Sequence, residues 1–167
     1  MRKQLYLVSL LGMYLSLSAC SSEGPTSKTD KGYEGSRQQV QLKEKHMLDT
    51  RVKLTFDNYT VFVKMYDHPM SRDLLAQLPL TLTFKDYVAK EKISVLKKRL
   101  SSDHSQSKNQ PKKGDFAYYS PWGNIAIFYK GHEVVTNDLV ILGQIESGKE
   151  NFENLHGDFT LTMEKTH

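Results

Sequence analysis

Cysteine is almost missing from this chain of 167 residues: Cys20 is the only one. No internal disulfide can form, so the fold must rest on its core and its backbone pairing. Long hydrophobic runs are scarce too. The one extended apolar stretch, Leu5 to Leu17, is too short for a comfortable membrane-spanning helix. Charge of one sign does not dominate, with 23 basic against 19 acidic residues and a formal charge of +4. Two of the positive charges, Arg2 and Lys3, lie at the extreme N-terminus. An excess so small and so evenly spread leaves no electrostatic footprint for nucleic acid. Catalytic signatures are lacking as well. There is no Gly-x-Ser-x-Gly, no glycine-rich phosphate loop, and no cysteine beyond Cys20 to act as a nucleophile. The six histidines, His46, His68, His104, His132, His156 and His167, are scattered, mostly over predicted loops. Glu153 and His156 have the i, i+3 spacing of a helical metal pair. A pair without further ligands reads as solvated surface, so neither a metal nor a cofactor is expected.

What is present divides the chain in three. Residues 1–19 begin with Arg2-Lys3 and continue with the apolar run, the layout of a secretory signal peptide. The run ends in Leu17-Ser18-Ala19-Cys20, which resembles the lipobox of bacterial lipoproteins. That resemblance covers the first 20 residues and implies cleavage before Cys20, whose thiol then carries the lipid. It also implies that Cys20 is the point of membrane attachment and that the protein belongs to the cell envelope. With Ser21 and Ser22 following and no Asp beside the cysteine, outer-membrane sorting is implied if the cell has an outer membrane. Stable anchoring of this kind takes more than one acyl chain. Residues 20–46 then read as a tether. Gly24-Pro25, Gly32, Gly35, several Ser and Thr and mixed charges cannot bury enough surface to offset their ordering entropy.

Residues 47–167 carry the folded domain, and 38% hydrophobic with 25% charged residues over the chain suits one soluble domain. Val52, Leu54 and Phe56 alternate with Arg51, Lys53 and Thr55 as a half-buried strand. Asp57-Asn58 turns the chain into a returning strand from Tyr59 to Met65. Asp67-His68-Pro69 opens a helix, with Asp67 as its expected cap and Met70, Leu74, Leu75 and Leu78 on one face. Pro79 ends it. Leu80 to Phe84 alternates as a strand, Lys85 to Lys90 reads as a connection anchored by Tyr87, and Ile93 to Leu100 is an apolar piece of open type. Ser101 to Lys113 is polar and reads as the most mobile loop of the domain. Leu139 to Leu142 is a further buried strand. Ser147 and Glu150 fit a capping box on a short helix running to Leu155, and Phe159 to Met163 alternates as the last strand.

The centre of this pattern is Gly114 to Tyr129. Phe116 to Ser120 and Asn124 to Tyr129 read as two strands joined by Pro121-Trp122-Gly123. Ile125, Ile127 and Tyr129 point one way, and Asn124, Ala126 and Phe128 the other. Both faces are largely apolar, so the hairpin belongs inside a sheet and not at its edge. The tally is seven strands, eight with Ile93 to Leu96, and two short helices. The fold class is mainly β, a closed or nearly closed barrel.

The order of these pieces resembles the bacterial cyclophilin-like domain family over about Thr50 to Glu164. The residues that carry it are Leu78-Pro79-Leu80-Thr81-Leu82, Glu91-Lys92, Gly114 to Tyr119, Pro121-Trp122-Gly123-Asn124, Phe128-Tyr129 and Ile141 to Ile145. The resemblance implies an eight-stranded barrel with a helix at each open end. In true cyclophilins a strand-borne Arg flanked by Phe and His, and a Gln-Phe-Phe segment, frame the proline whose peptide bond is isomerised. Neither triplet occurs here, so no catalytic residue carries over. The reading is a lipid-anchored, non-catalytic module for a peptide or small ligand. A prolyl isomerase with a divergent pocket is the alternative, and a structural protein docking an envelope partner is a third reading.

The candidate groove is Glu91, Tyr118, Trp122 and Asn124. Tyr and Trp combine apolar area with a polar handle, which suits binding surfaces. Glu91-Lys92 reads either as a charged pocket edge or as a surface pair of little energetic worth, the surface pair being favoured. Of the neighbouring aromatics, Phe128 and one of Tyr118 and Tyr119 are expected to fill the barrel.

Overall fold

The computed structural model describes residues 46–101 and 107–166. The expected signal segment, Cys20 and all of the tether but His46 lie outside the described residues.

Alternation of apolar and polar side chains builds each strand, and closure of the sheet satisfies their outer hydrogen bonds. Among the described residues ten strands form: β1 (Met47–Phe56), β2 (Tyr59–Tyr66), β3 (Leu80–Tyr87), β4 (Glu91–Val95), β5 (Lys108–Asn109), β6 (Asp115–Tyr119), β7 (Asn124–Phe128), β8 (Thr136–Asn137), β9 (Leu139–Ile145) and β10 (Phe159–Thr166). Eight of them close into a barrel in the order β1-β10-β3-β4-β7-β6-β9-β2, with every pair antiparallel. Only β5 and β8 stand apart, as a two-residue ribbon. The mainly β, eight-stranded barrel read from the sequence is therefore the observed fold.

The interior takes the inward residue of each alternating pair. Val52, Leu54, Val61, Val63, Phe84, Phe116 and Leu161 are all fully buried. Each large side chain removed from water there contributes about 1.5–3 kcal/mol. The helix α1 (Pro69–Gln77) closes one end with Met70 and Leu74 in the core cluster, and Ser71 Oγ donates to the Leu142 carbonyl at 3.1 Å. At the other end a 3-10 turn, Lys149–Phe152, inserts Phe152 against Phe56 with ring centroids 4.6 Å apart.

Several local expectations are corrected. His68, not Asp67, caps α1: its Nδ1 accepts from the Met70 amide at 3.1 Å, while Asp67 pairs with Arg72. The capping box at Ser147 and Glu150 does not form. Gly148 occupies the cap in the left-handed region, at φ 78°, and no side chain caps the turn. A single turn of 3-10 geometry thus stands where a second short helix was expected. Lys85 to Tyr87 is strand, not connection, because β3 pairs with β4 as far as Tyr87. The reversal that follows is made by Val88 and Ala89, both left-handed at φ 47° and 54°. L-residues with a Cβ resist that region, so the turn needs an outside tie. Asp86 Oδ1 supplies one by accepting from the Ala89 amide at 3.0 Å. The polar segment before Gly114 is not wholly irregular. Its β5 residues pair with β8, and Ser107 Oγ and Asn109 Nδ2 both donate to the Leu139 carbonyl.

Candidate functional site

A strand in a closed barrel has an inner and an outer face, and most of this barrel's outer face is polar. The wall β4-β7-β6-β9 is the exception. Ile93, Ala117, Ala126, Phe128, Leu139 and Ile141 form a second buried apolar cluster there, separate from the interior. Cross-strand register assembles it: Ile93 faces Ala126, Ala126 faces Ala117, and Ala117 faces Ile141. The same register sets Glu91 beside Phe128 and Asn124 beside Tyr119.

Turns rise around this floor. The Trp122 turn needs Gly123 at φ 69°, and its amide donates to the Tyr119 carbonyl at 2.9 Å. The guanidinium of Arg99 clasps the turn from outside, donating to the carbonyls of Ser120 at 2.8 Å and Pro121 at 3.2 Å. Trp122 thereby stands 48% exposed, with Tyr87 and Tyr119 edge-on to it at 5.4 and 5.5 Å. On the far side His132 sits edge-on to Phe128 at 5.9 Å, and its amide donates to the Pro111 carbonyl. The result is an open cavity of about 200 Å³ lined by Tyr87, Glu91, Ile93, Tyr119, Trp122, Asn124, Phe128, His132, Thr136 and Leu139.

Its polar groups are underused. Asn124 is buried and its Nδ2 donates to the Ile125 carbonyl at 3.2 Å, but its Oδ1 has no hydrogen-bond partner among the described residues. Nor does Nε2 of His132, which is also withdrawn from solvent. Burial and the nearby charge of Lys90 hold the His132 imidazole below its ordinary value, so it is neutral at pH 7. Burial, helped by the Asp86 carboxylate, pushes the Glu91 carboxyl up to about 7.

Of the four residues expected to form the groove, Glu91, Trp122 and Asn124 line the cavity together. Tyr118 does not. It points into the barrel, 2% exposed, and its hydroxyl accepts from the Leu100 amide at 3.3 Å. Its neighbour Tyr119 takes the place beside Trp122. The signal for this was available, since cross-strand partners share a face and Asn124 pairs with Tyr119. Phe128, expected in the barrel, is buried on the outer wall instead, where its position opposite Ile127 in the alternation puts it. His132, Thr136 and Leu139 come from a segment whose path the pattern did not reveal.

Glu91-Lys92 is not a surface pair. Lys92 points inward with its side chain 1% exposed. There its ammonium donates to Asp86 Oδ2 and to the Leu155 carbonyl, both at 2.7 Å, and lies 4.9 Å over the Tyr129 ring. The Tyr129 hydroxyl donates to the same Asp86 oxygen at 2.7 Å. No cluster of potential metal ligands occurs among the described residues. Glu153, of the spaced pair with His156, instead receives Lys113 and Lys130.

Comparison with known proteins agrees with this architecture. No curated protein matches the chain. The solution structure of the hypothetical protein AF2241 from Archaeoglobus fulgidus superposes with a TM-score of 0.57 at 15% identity, covering 72% of this chain and 98% of that one. At that identity the likeness speaks for the fold alone. The model of the cyclophilin-like family matches residues 54–164, which is nearly the whole barrel, and the chain belongs to the cyclophilin-like family.

Proposed function

We propose that the protein is a non-catalytic binding module of the cell envelope, tethered through acylated Cys20, whose outer-wall cavity takes a peptide side chain or a small ligand. The observation that carries the binding reading is an open, aromatic-walled cavity that also gathers Glu91, Asn124 and His132 on its lining. Apolar walls with a few convergent polar groups are the usual form of a ligand pocket. The envelope reading rests on the N-terminal order of basic residues, apolar run, small residues and cysteine.

Isomerisation of X–Pro bonds draws less support. It requires a group that polarises the amide against a barrier of about 18–20 kcal/mol. The described arginines are committed elsewhere: Arg51 to Glu146, Arg72 to Asp67 and Arg99 to the Trp122 turn. A protease-coupled proline-peptide assay on the purified chain is expected to show the uncatalysed rate. Acceleration lost on Trp122→Ala would replace the binding reading with a catalytic one. Peptide and metabolite panels are expected to raise the thermal midpoint and shift Trp122 fluorescence, and Asn124→Ala is expected to abolish both. Silence across both panels removes the cavity as a binding site. Retention of Cys20→Ser at the membrane would remove the anchoring.

A further inference from the structure

Glu91 is a carboxyl group without a counter-charge. No hydrogen bond or ion pair is made by its side chain among the described residues, and the adjacent cation, Lys92, faces the opposite side of the strand and is spent on Asp86. What surrounds Glu91 in the cavity is aromatic. Tyr87 and Tyr119 stand at 90° and 83° to the Trp122 ring, and Phe128 shares the same lining. Ring faces carry negative electrostatic potential, which draws a cation seated over them. A desolvated carboxylate beside such walls attracts a bulky, weakly hydrated cation more than a small, strongly hydrated one, because the walls cannot replace a tight hydration shell.

Resting on the reading of this cavity as the binding site, we infer that its ligands carry an alkylated ammonium group, seated against Tyr87, Tyr119 and Trp122 and neutralised by Glu91. Asn124 and His132 lie on the same lining, beside the seat of the cation. The attraction is electrostatic, and no covalent bond forms between ligand and protein.

The test uses choline and its uncharged isostere 3,3-dimethyl-1-butanol on the purified chain, followed through the only tryptophan, Trp122. Choline is expected to bind about tenfold more tightly than the isostere. Glu91→Gln should weaken choline binding and shrink that preference, and Trp122→Ala, followed by calorimetry, should weaken both probes. Choline should also release a proton when it binds near pH 6.5, seen as a heat that varies with the buffer's ionisation enthalpy. Equal binding of the two probes overturns the inference and leaves the cavity reading standing. So does choline binding that Glu91→Gln does not weaken. Failure of both probes overturns the inference, and if the wider panels are also silent the cavity reading falls separately.

Discussion

Glu91 and Lys92 are consecutive residues of β4, carry opposite charges, and occupy opposite environments. Lys92 lies inside the barrel, where its ammonium meets a carboxylate, a carbonyl and a ring face. Glu91 lies on the outer wall among aromatic rings, where its carboxyl forms no ion pair among the described residues. Tyr118 and Tyr119 on β6 repeat the division. The first hydrogen-bonds inside the core, and the second stands at the cavity beside Trp122. Both pairs follow from the two-residue period of a strand. The inner polar groups are matched by the chain itself and so serve the fold. The outer Glu91 carboxyl has no such match among the described residues.

The comparison breaks first at Asp86. If the inner network is structural, Asp86→Ala strands the buried Lys92 ammonium and frees the left-handed Val88-Ala89 turn. A loss of about 3 kcal/mol is expected in denaturant unfolding, at the low end for a buried charge that loses its partner, because Lys92 keeps the Leu155 carbonyl. Lys92→Met should cost clearly less, because Asp86, with its side chain 37% exposed, regains water. Equal losses would show that the pair is not asymmetric in burial.

Glu91→Gln probes the outer side and should act in the opposite direction. The folded chain holds this carboxyl's proton up to about pH 7, whereas the ordinary value is 4.5. Between those limits the folded state binds more protons than the unfolded one, so stability falls as pH rises and levels off above 7. The amide cannot ionise. Glu91→Gln should therefore flatten that decline and add on the order of 1–2 kcal/mol at pH 8, allowing for water at the open cavity. Asp86, Lys90 and His132 are the charged or titratable neighbours. His132, held neutral, contributes a slope of the opposite sign, which the difference between variant and parent cancels. A variant whose pH profile parallels the parent's would remove the claim that Glu91 is desolvated.

The smallest expected effect separates the tyrosines. Tyr118→Phe deletes the acceptor of the Leu100 amide and should cost about 1 kcal/mol. Tyr119→Phe should leave stability within about 0.5 kcal/mol, as surface substitutions do. Reversed values would place the two residues on each other's faces.

The barrel was legible because its strands obey one period. Val52 to Phe56, Leu80 to Phe84 and Phe159 to Met163 each alternate cleanly, and the Trp122 hairpin showed apolar residues on both faces. The left-handed turn at Val88 and Ala89 was illegible because neither residue is turn chemistry. Its conformation is imposed by Asp86 and by strand pairing. The cap by His68 was hidden behind the more usual Asp67. Three of the four expected groove residues do meet, since polar and aromatic residues on a predicted turn stand out. Tyr118 was misplaced because a face was assigned without following the register across the turn. Lys92 was misread because a buried lysine requires partners from β3 and from the segment after the 3-10 turn, which no local pattern announces.

The position of the cavity on the outer wall of a closed sheet has a kinetic consequence. A molecule held in a barrel's lumen leaves only when strands part or an end opens. Here the floor strands would stay paired on both sides while a ligand came and went. Its residence time would be set by the contacts it makes with the rings and the carboxyl. Exchange and unfolding therefore run on separate clocks, and a variant that speeds one has no reason to speed the other.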